Sequence, residues 1–210
     1  KDGLNGIENL IRTIELIPKD VLLIADAKRG DIDNTSLMYA ESVFNHFKCD
    51  AVTLHPYMGH DSLEPFLNYR DKISFVLALT SNSGASDFEK LKLDDGSFLF
   101  QRTIKKVNEW NINQNCGIVF GATKHEELVE NINLFNDLFV LLPGVGAQGG
   151  KLEDVVEVFE KNNNNNYIIN VSRALIYCDS TSEFPQKIKN EIEQLNLVVR
   201  RVVLKNNNSI

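Results

Sequence analysis

Apolar residues recur along the chain in two alternating patterns. Spacings of three or four residues predict helices over 5–17, 98–110, 124–133, 152–161 and 185–195, with a further helix after Asn34. Short continuous apolar runs between them predict buried strands over 21–28, 51–54, 73–80, 117–123, 139–142 and 167–171. Strands that alternate with helices form parallel βαβ units, so the pattern indicates an α/β protein.

The first predicted strand turns charged where it ends. Asp26, Lys28, Arg29 and Asp31 place four charges within six residues, and Gly30 permits a tight turn before the last of them. Alternate strand residues share a face, so Asp26 and Lys28 are expected side by side. Such charges cost desolvation free energy unless they are paired. The cluster is either a structural ion-pair network or a catalytic group at the carboxyl end of a strand.

A glycine-rich run follows the fifth predicted strand. Gly144 to Gly150 lies between that strand and a helix, and Arg173 follows the next strand. Glycines allow close backbone approach, a helix start offers free N–H groups to an anion, and a guanidinium can bind phosphate through two hydrogen bonds. The run therefore predicts a phosphate site. The alternative for Arg173 is a salt bridge on the rim of the fold.

Composition narrows the classes of function. The net charge of −7 is not typical of nucleic-acid-binding proteins, and no apolar run approaches the ~20 residues of a membrane span. Three widely spaced cysteines favour reduced thiols and a cytoplasmic location. His55 and His60 could suggest a metal, but no carboxylate or cysteine set stands at ligand spacing, so loop histidines are expected.

Several motifs together resemble one enzyme family. The run from Asp26 to Ile32, with Thr35, is similar to the D-x-K-x-x-D-I-x-x-T signature of orotidine 5′-phosphate decarboxylases. The other similar segments are Ser81-Asn82-Ser83-Gly84 (the family's S-N-P-G, with serine for proline), Gly121-Ala122-Thr123 (G-A-T), Pro143 to Gly150 (P-G-I-G-A-Q-G-G) and Ser172-Arg173 (S-R). These matches span nearly the whole chain.

The resemblance implies a TIM (β/α)₈ barrel in which this chain supplies strands three to eight. The expected organisation is a barrel domain over 1–196 and a C-terminal tail over 197–210. The first two βα units, which in the family contribute an Asp and a Lys to the site, are expected upstream of Lys1. In many eukaryotes the family's domain is fused to orotate phosphoribosyltransferase, so a fusion or complex with that enzyme is expected.

The resemblance also implies the reaction, which is decarboxylation of orotidine 5′-monophosphate to UMP without a metal or organic cofactor. Lys28 would stabilise a C6 carbanion and protonate it, and Asp26 would hold Lys28 beside the departing carboxylate. Asp31 would reach across a homodimer interface into the partner's site. The implied substrate-binding residues are Ile32, Thr35, Thr80, Ser81, Pro143, Gln148, Gly149 and Arg173.

Two other interpretations remain open. Sister barrels that share D-x-K-x-x-D use Mg²⁺ to act on sugar phosphates. The residues that favour a nucleotide instead are Ile32, Thr35, the Ser81-Asn82 turn and Gln148. The chain could also be a non-catalytic nucleotide-phosphate binder, although binding alone does not require the Asp26-Lys28-Asp31 set.

Overall fold

The computed structural model describes residues 2–121, 125–145 and 151–207, and in these ranges helices alternate with strands. The strands are β1 (Ile24–Arg29), β2 (Ala51–Leu54), β3 (Ile73–Leu79), β4 (Cys116–Phe120), β5 (Phe139–Pro143) and β6 (Tyr167–Asn170). The α-helices are α1 (Gly3–Leu16), α2 (Asp33–Glu41), α3 (Glu64–Leu67), α4 (Leu99–Trp110), α5 (His125–Asn131), α6 (Leu152–Lys161), α7 (Arg173–Ile176) and α8 (Phe184–Asn207).

Hydrogen bonds join the strands in the order in which they follow along the chain, β1-β2-β3-β4-β5-β6. The pairings of β1 with β2, β2 with β3 and β5 with β6 are parallel. Parallel strands need crossover connections, and the helices between successive strands supply them. The predicted α/β class is therefore confirmed.

The chain divides into two compact units, and the first comprises Lys1–Leu77 and Trp110–Gly117. Its core contains the fully buried Phe66 and Phe75. The Phe44 ring meets Phe66 edge to face, with centroids 6.1 Å apart. β1, β2 and the charged run between Asp26 and Asp31 belong to this unit.

The second unit comprises Ala78–Glu109 and Ile118–Ile210. A row of aromatic rings runs through its core and ties α4, β4, α6 and β6 together. Successive centroids in this row are 4.5–6.2 Å apart, and its members are Phe100, Phe120, Phe135, Phe159 and Tyr167. Phe120, Phe135 and Phe159 are fully buried, so the row forms the centre of this unit.

Some local predictions are wrong in detail. The first strand begins at Ile24, and Leu22 before it is 67% exposed, so this strand is less buried than its apolar sequence suggests. Ile32 precedes α2 without a side-chain cap hydrogen bond.

The C-terminal helix is longer than predicted. The apolar spacing places its end near Leu195, whereas α8 continues to Asn207. Trp110, the last residue of α4, is half-buried and contacts the ring of His60 at a centroid distance of 5.3 Å. Within the described ranges, no helix combines the length and the apolar character that crossing a membrane requires.

Candidate active site

The carboxyl end of β1 carries an irregularity that brings Asp26 and Lys28 together. β1 pairs with β2 through Ala25 and Val52, and the next pair is Arg29 with Leu54. Asp26, Ala27 and Lys28 therefore lie opposite the single residue Thr53. Lys28 has a φ of 46°, a left-handed conformation that is uncommon for a residue with a side chain. Bulges of this kind re-aim side chains and are frequent beside active sites.

Thr53 of β2 holds both sides of this bulge. Its hydroxyl donates to Asp26 Oδ1 at 2.9 Å and accepts the backbone N–H of Lys28 at 3.0 Å. The Lys28 ammonium donates to the same Asp26 oxygen at 2.5 Å. Thr53 is buried, whereas the side chains of Lys28 and Asp26 are 51% and 68% exposed. A buried hydroxyl thus positions an accessible ion pair.

The charge state of Asp26 follows from this arrangement. Partial burial would raise the pKa of its carboxyl group, but the hydrogen bonds from Lys28 and Thr53 and the charge of Lys28 outweigh that effect and lower the pKa below its ordinary value of 3.8. Asp26 is therefore a carboxylate at neutral pH, as the sequence interpretation requires.

Packing against His55 restricts the residues that follow Lys28. The His55 N–H donates to the carbonyl of Arg29 at 2.9 Å. A Cβ added to Gly30 would lie 2.8 Å from both Nε2 and the carbonyl oxygen of His55, so only glycine fits there. The Arg29 guanidinium lies over the Tyr39 ring, 5.1 Å from its centroid. His55, considered as a metal ligand in the sequence, contacts this turn instead.

Asp31, Ile32 and Thr35 are at the start of α2, displaced from the bulge. The Asp31 carboxylate accepts the N–H of Ile32 at 2.9 Å, and the carbonyl of Ile32 accepts the N–H of Thr35 at 3.2 Å. Ile32 and Thr35 are exposed. Among the described residues Asp31 forms no ion pair, and in particular none with Lys28.

In the second unit, a turn at the end of β3 contains Thr80 and Ser81. The N–H of Thr80 donates to Glu89 Oε2 at 2.7 Å, and its hydroxyl is 2.9 Å and 3.1 Å from the two Glu89 oxygens and 2.6 Å from Asn82 Oδ1. Thr80 is therefore engaged within the protein. Ser81 is exposed.

Ser81, Pro143 and Arg173 line one pocket of about 140 Å³. The rest of its wall comes from Gly144, Val145, Asn170, Ser172 and Ala174. Gly144 has a φ of 97°, which a glycine adopts without strain. Three of the predicted substrate-binding residues, taken from the ends of three different strands, are thus brought together around a cavity.

Gln148 and Gly149 lie outside the described residues, as do Ala122 and Thr123 of the G-A-T segment. The part that the helix start after Gly150 plays at a phosphate site therefore stays a prediction. Across the ranges that are described, no group of three or more His, Cys, Asp or Glu side chains is arranged to hold a metal ion.

Two residues that the sequence analysis did not single out have a place in these arrangements. Thr53 is a polar residue within the apolar run Ala51–Leu54. A hydroxyl in a strand predicted to be buried needs a hydrogen-bond partner, and this was the signal available in the sequence. Glu89 lies in the segment between β3 and α4, in neither a helix nor a strand, and no sequence pattern marks it.

Comparison with known proteins supports one family. The family model described as Orotidine 5′-phosphate decarboxylase / HUMPS matches residues 4–183. A Dehalococcoides mccartyi protein named orotidine 5′-phosphate decarboxylase is 45% identical over 196 residues, which cover 92% of this chain and 73% of the relative. A Porphyromonas gingivalis protein of the same name is 46% identical over 192 residues, covering 90% of this chain and 69% of the relative.

Solved structures agree with these relatives. Leishmania donovani OMP decarboxylase matches with a TM-score of 0.81 and 33% identity, over 94% of this chain and 76% of that one. Leishmania donovani UMP synthase matches with a TM-score of 0.82 and 36% identity, over 94% of this chain and 44% of that longer chain. On the family match, the identities and the shared fold, the chain belongs to the orotidine 5′-phosphate decarboxylase family.

Proposed function

We propose that this chain catalyses the decarboxylation of orotidine 5′-monophosphate to UMP and CO₂, a step of pyrimidine synthesis. Its family membership gives the reaction class, and the arrangement of Lys28, Asp26 and Thr53 carries the proposal. That arrangement places the Lys28 ammonium and the Asp26 carboxylate side by side on an accessible strand end. The buried Thr53 hydroxyl forms hydrogen bonds with both residues.

The reaction requires a negative charge to develop on the pyrimidine ring. The bond between C6 and the carboxylate breaks, its electron pair remains on C6 and CO₂ departs. The Lys28 ammonium stabilises the carbanion and then donates a proton to C6, and the neutral amine regains a proton from water. Asp26, a carboxylate at neutral pH, orients Lys28 and lies near the departing group.

The remaining predicted site residues bind the substrate in this scheme. Ser81 reads the pyrimidine edge, and Thr80, whose N–H and hydroxyl bond to Glu89, fixes the turn beside it. Pro143 packs on the base and Arg173 binds the phosphate. The shared pocket of Ser81, Pro143 and Arg173 supports these roles. Gln148 and Gly149 complete the phosphate end of the site. The phosphate lies away from C6, so its binding free energy can be directed to the transition state.

The six strands correspond to strands three to eight of an eight-stranded (β/α)₈ barrel, with a barrel domain over 1–196. Exposed apolar side chains before β1, the first strand in the sheet order, support this assignment. They are Leu4 and Leu16 of α1 and Leu22 of the segment that leads into β1. Two further βα units packed there would bury them and would contribute the Asp and Lys that the family's site contains.

The enzyme acts as a homodimer with shared active sites. Asp31, Ile32 and Thr35 enter the partner's site in this arrangement, with Ile32 lining the pocket and Thr35 contacting the ribose. The exposure of Ile32 and Met38 on and beside α2 supports an interface there.

The likeness to a UMP synthase supports fusion to, or a complex with, orotate phosphoribosyltransferase. Free thiols at Cys49, Cys116 and Cys178 agree with a cytoplasmic location.

Turnover in the presence of EDTA tests the proposal. The full-length polypeptide that contains this chain is mixed with orotidine 5′-monophosphate, and the loss of substrate is followed by ultraviolet absorbance. In D₂O the UMP formed is expected to carry deuterium at C6, which proton NMR detects. An absence of UMP, or turnover that requires added Mg²⁺, would contradict the proposal. A requirement for Mg²⁺ would favour the sugar-phosphate enzymes of the same superfamily.

A further inference from the structure

We infer that Glu89 is a positioning residue that fixes the turn at Thr80 and Ser81 in the geometry that recognises the pyrimidine base. The inference rests on the proposed function, since it assigns base recognition to Ser81. Glu89 is nine residues along the chain from Thr80 and belongs to none of the motifs that the family resemblance provides.

The contacts of Glu89 converge on a single residue. Its Oε2 accepts the backbone N–H of Thr80 at 2.7 Å, a short hydrogen bond to a charged acceptor. Both carboxylate oxygens also lie within hydrogen-bond distance of the Thr80 hydroxyl. The Thr80 hydroxyl has one proton to donate and can give it to Asn82 Oδ1 instead of Glu89. The backbone N–H of Thr80 has Glu89 as its acceptor, so this contact is the one that depends on Glu89.

The turn is also restricted on the side of Gly121. A Cβ added to Gly121 would lie 3.0 Å from the Ser81 nitrogen and 3.2 Å from the Thr80 carbonyl carbon. The backbone of the turn therefore packs directly on Gly121, while Glu89 holds its first N–H. Ser81, the next residue, lines the pocket with Pro143 and Arg173.

Glu89 is itself well anchored. Its backbone carbonyl accepts the N–H of Phe100, in the first turn of α4, at 2.8 Å. The adjacent Lys90 forms an ion pair with Glu127. In the part of the chain that the structure describes, no Lys, Arg or His side chain pairs with Glu89. Its carboxylate therefore acts on the turn as a hydrogen-bond acceptor and not as the partner of a cation.

A positioning role predicts a selective effect on ligands. UMP carries the base that Ser81 contacts, whereas ribose 5-phosphate lacks the base and retains the phosphate. In Glu89→Ala we expect the affinity for UMP to fall by about 10- to 100-fold, the factor for losing a hydrogen bond to a charged group, and the affinity for ribose 5-phosphate to stay within about twofold. Calorimetric titration of each variant with both ligands measures this difference.

Two further variants test the acceptor role. Glu89→Gln keeps a carbonyl oxygen for the Thr80 N–H, so its UMP affinity is expected within about threefold of the wild type. Gly121→Ala displaces the turn from the side opposite Glu89 and is expected to reproduce the selective loss of UMP affinity. This variant decides the test if Glu89→Ala does not fold. Glu127→Ala is the matched control, because it removes a carboxylate from the neighbouring ion pair without touching Thr80.

Equal losses for UMP and ribose 5-phosphate in Glu89→Ala, or no loss for either, would overturn the inference. A loss in Glu89→Gln as large as that in Glu89→Ala would also overturn it, because the charge would then be essential. The wild-type assay with orotidine 5′-monophosphate is read separately. A wild-type protein that binds UMP without decarboxylating the substrate would refute the proposed function while the comparison of ligands still decides the role of Glu89.

Discussion

Lys28 lies near the carboxyl end of β1 and Arg173 follows β6, but the surroundings of these two cations differ. Lys28 lies 2.5 Å from the Asp26 carboxylate, on a bulge that a buried threonine holds in place. Arg173 is exposed at the wall of a pocket, and among the described residues no carboxylate lies within ion-pair distance of it. The Asp26 carboxylate fixes the direction of the Lys28 ammonium. No carboxylate of the described residues competes with a ligand for the Arg173 guanidinium. The difference suits a reacting group in the first case and an anion-binding group in the second.

The Lys28–Asp26 pair contributes little to folding stability. Exposed ion pairs are typically worth about 0–1 kcal/mol because water screens them. Both side chains are more than half exposed, and the backbone of Lys28 has an unfavourable φ. The bulge is therefore better explained by its orientation of the Lys28 and Asp26 side chains than by a contribution to the free energy of folding.

The largest effect is expected from Lys28→Ala. It removes both the stabilising charge and the proton donor, so kcat for orotidine 5′-monophosphate is expected to fall by at least about 1,000-fold. UMP affinity is expected to remain within about tenfold, because the phosphate and base contacts persist. Steady-state kinetics and calorimetry measure the two quantities.

Lys19→Ala is the matched control for that variant, since Lys19 is exposed in the loop before β1 and outside the proposed site. Its kcat is expected to equal that of the wild type. Retention of more than about a tenth of the wild-type kcat in Lys28→Ala would contradict the assignment of Lys28 as the proton donor.

Arg173→Ala is expected to affect binding more than chemistry. Loss of a charge-assisted contact to phosphate is expected to raise KM by about 10- to 100-fold, with a smaller decrease in kcat. Arg200→Ala on the exposed surface of α8 serves as the control and is expected to change neither. If Arg173→Ala lowered kcat as strongly as Lys28→Ala while leaving KM unchanged, the contrast between the two cations would be wrong.

Thr53→Val tests whether the buried hydroxyl positions the pair. It leaves the N–H of Lys28 without its acceptor and removes one of the two hydrogen bonds to Asp26 Oδ1, so we expect a loss of about 1–3 kcal/mol in the free energy of unfolding and a several-fold lower kcat. Denaturant unfolding and kinetics provide these values. Thr53→Ser retains the hydroxyl and is expected to behave nearly as the wild type; equal effects of the two substitutions would assign the loss to packing.

The smallest effect concerns the titration of Asp26. Its native pKa lies below 3.8, so its contribution to stability is fully present above that pH and is lost as the pH falls through the lower native value. In Lys28→Ala the partial burial remains while the ammonium is gone, so the pKa of Asp26 is expected to rise. Carbon-13 NMR of the carboxyl group against pH measures it, and an unchanged pKa would show that the pair does not control Asp26.

The sequence was sufficient for the α/β class and for the positions of most elements, because buried strands and amphipathic helices leave clear periodic patterns. Leu152–Lys161 is one helix whose bounds agree with the prediction. The proximity of Asp26 and Lys28 was also predicted, although for an incomplete reason. Regular alternation along a strand predicts the contact, whereas the observed backbone reaches it through a bulge and a left-handed conformation at Lys28.

Other features depended on tertiary structure that no local pattern encodes. Thr53 becomes important because β2 pairs with β1, and Glu89 because the segment before α4 folds back on the end of β3. The exposure of Leu22 reflects the place of β1 at the end of the sheet order, which hydrophobicity alone does not reveal. Long-range pairing, more than local preference, determines these positions.

The left-handed backbone at Lys28 has a consequence for how the protein loses activity. A lysine leaves this conformation unless its surroundings enforce it, and here the neighbouring strand provides the restraint through Thr53 and His55. Local opening of the end of β1 would release the ammonium while the aromatic row of the second unit stayed intact. Catalytic inactivation in urea should therefore begin at a lower concentration than the change in circular dichroism that reports global denaturation.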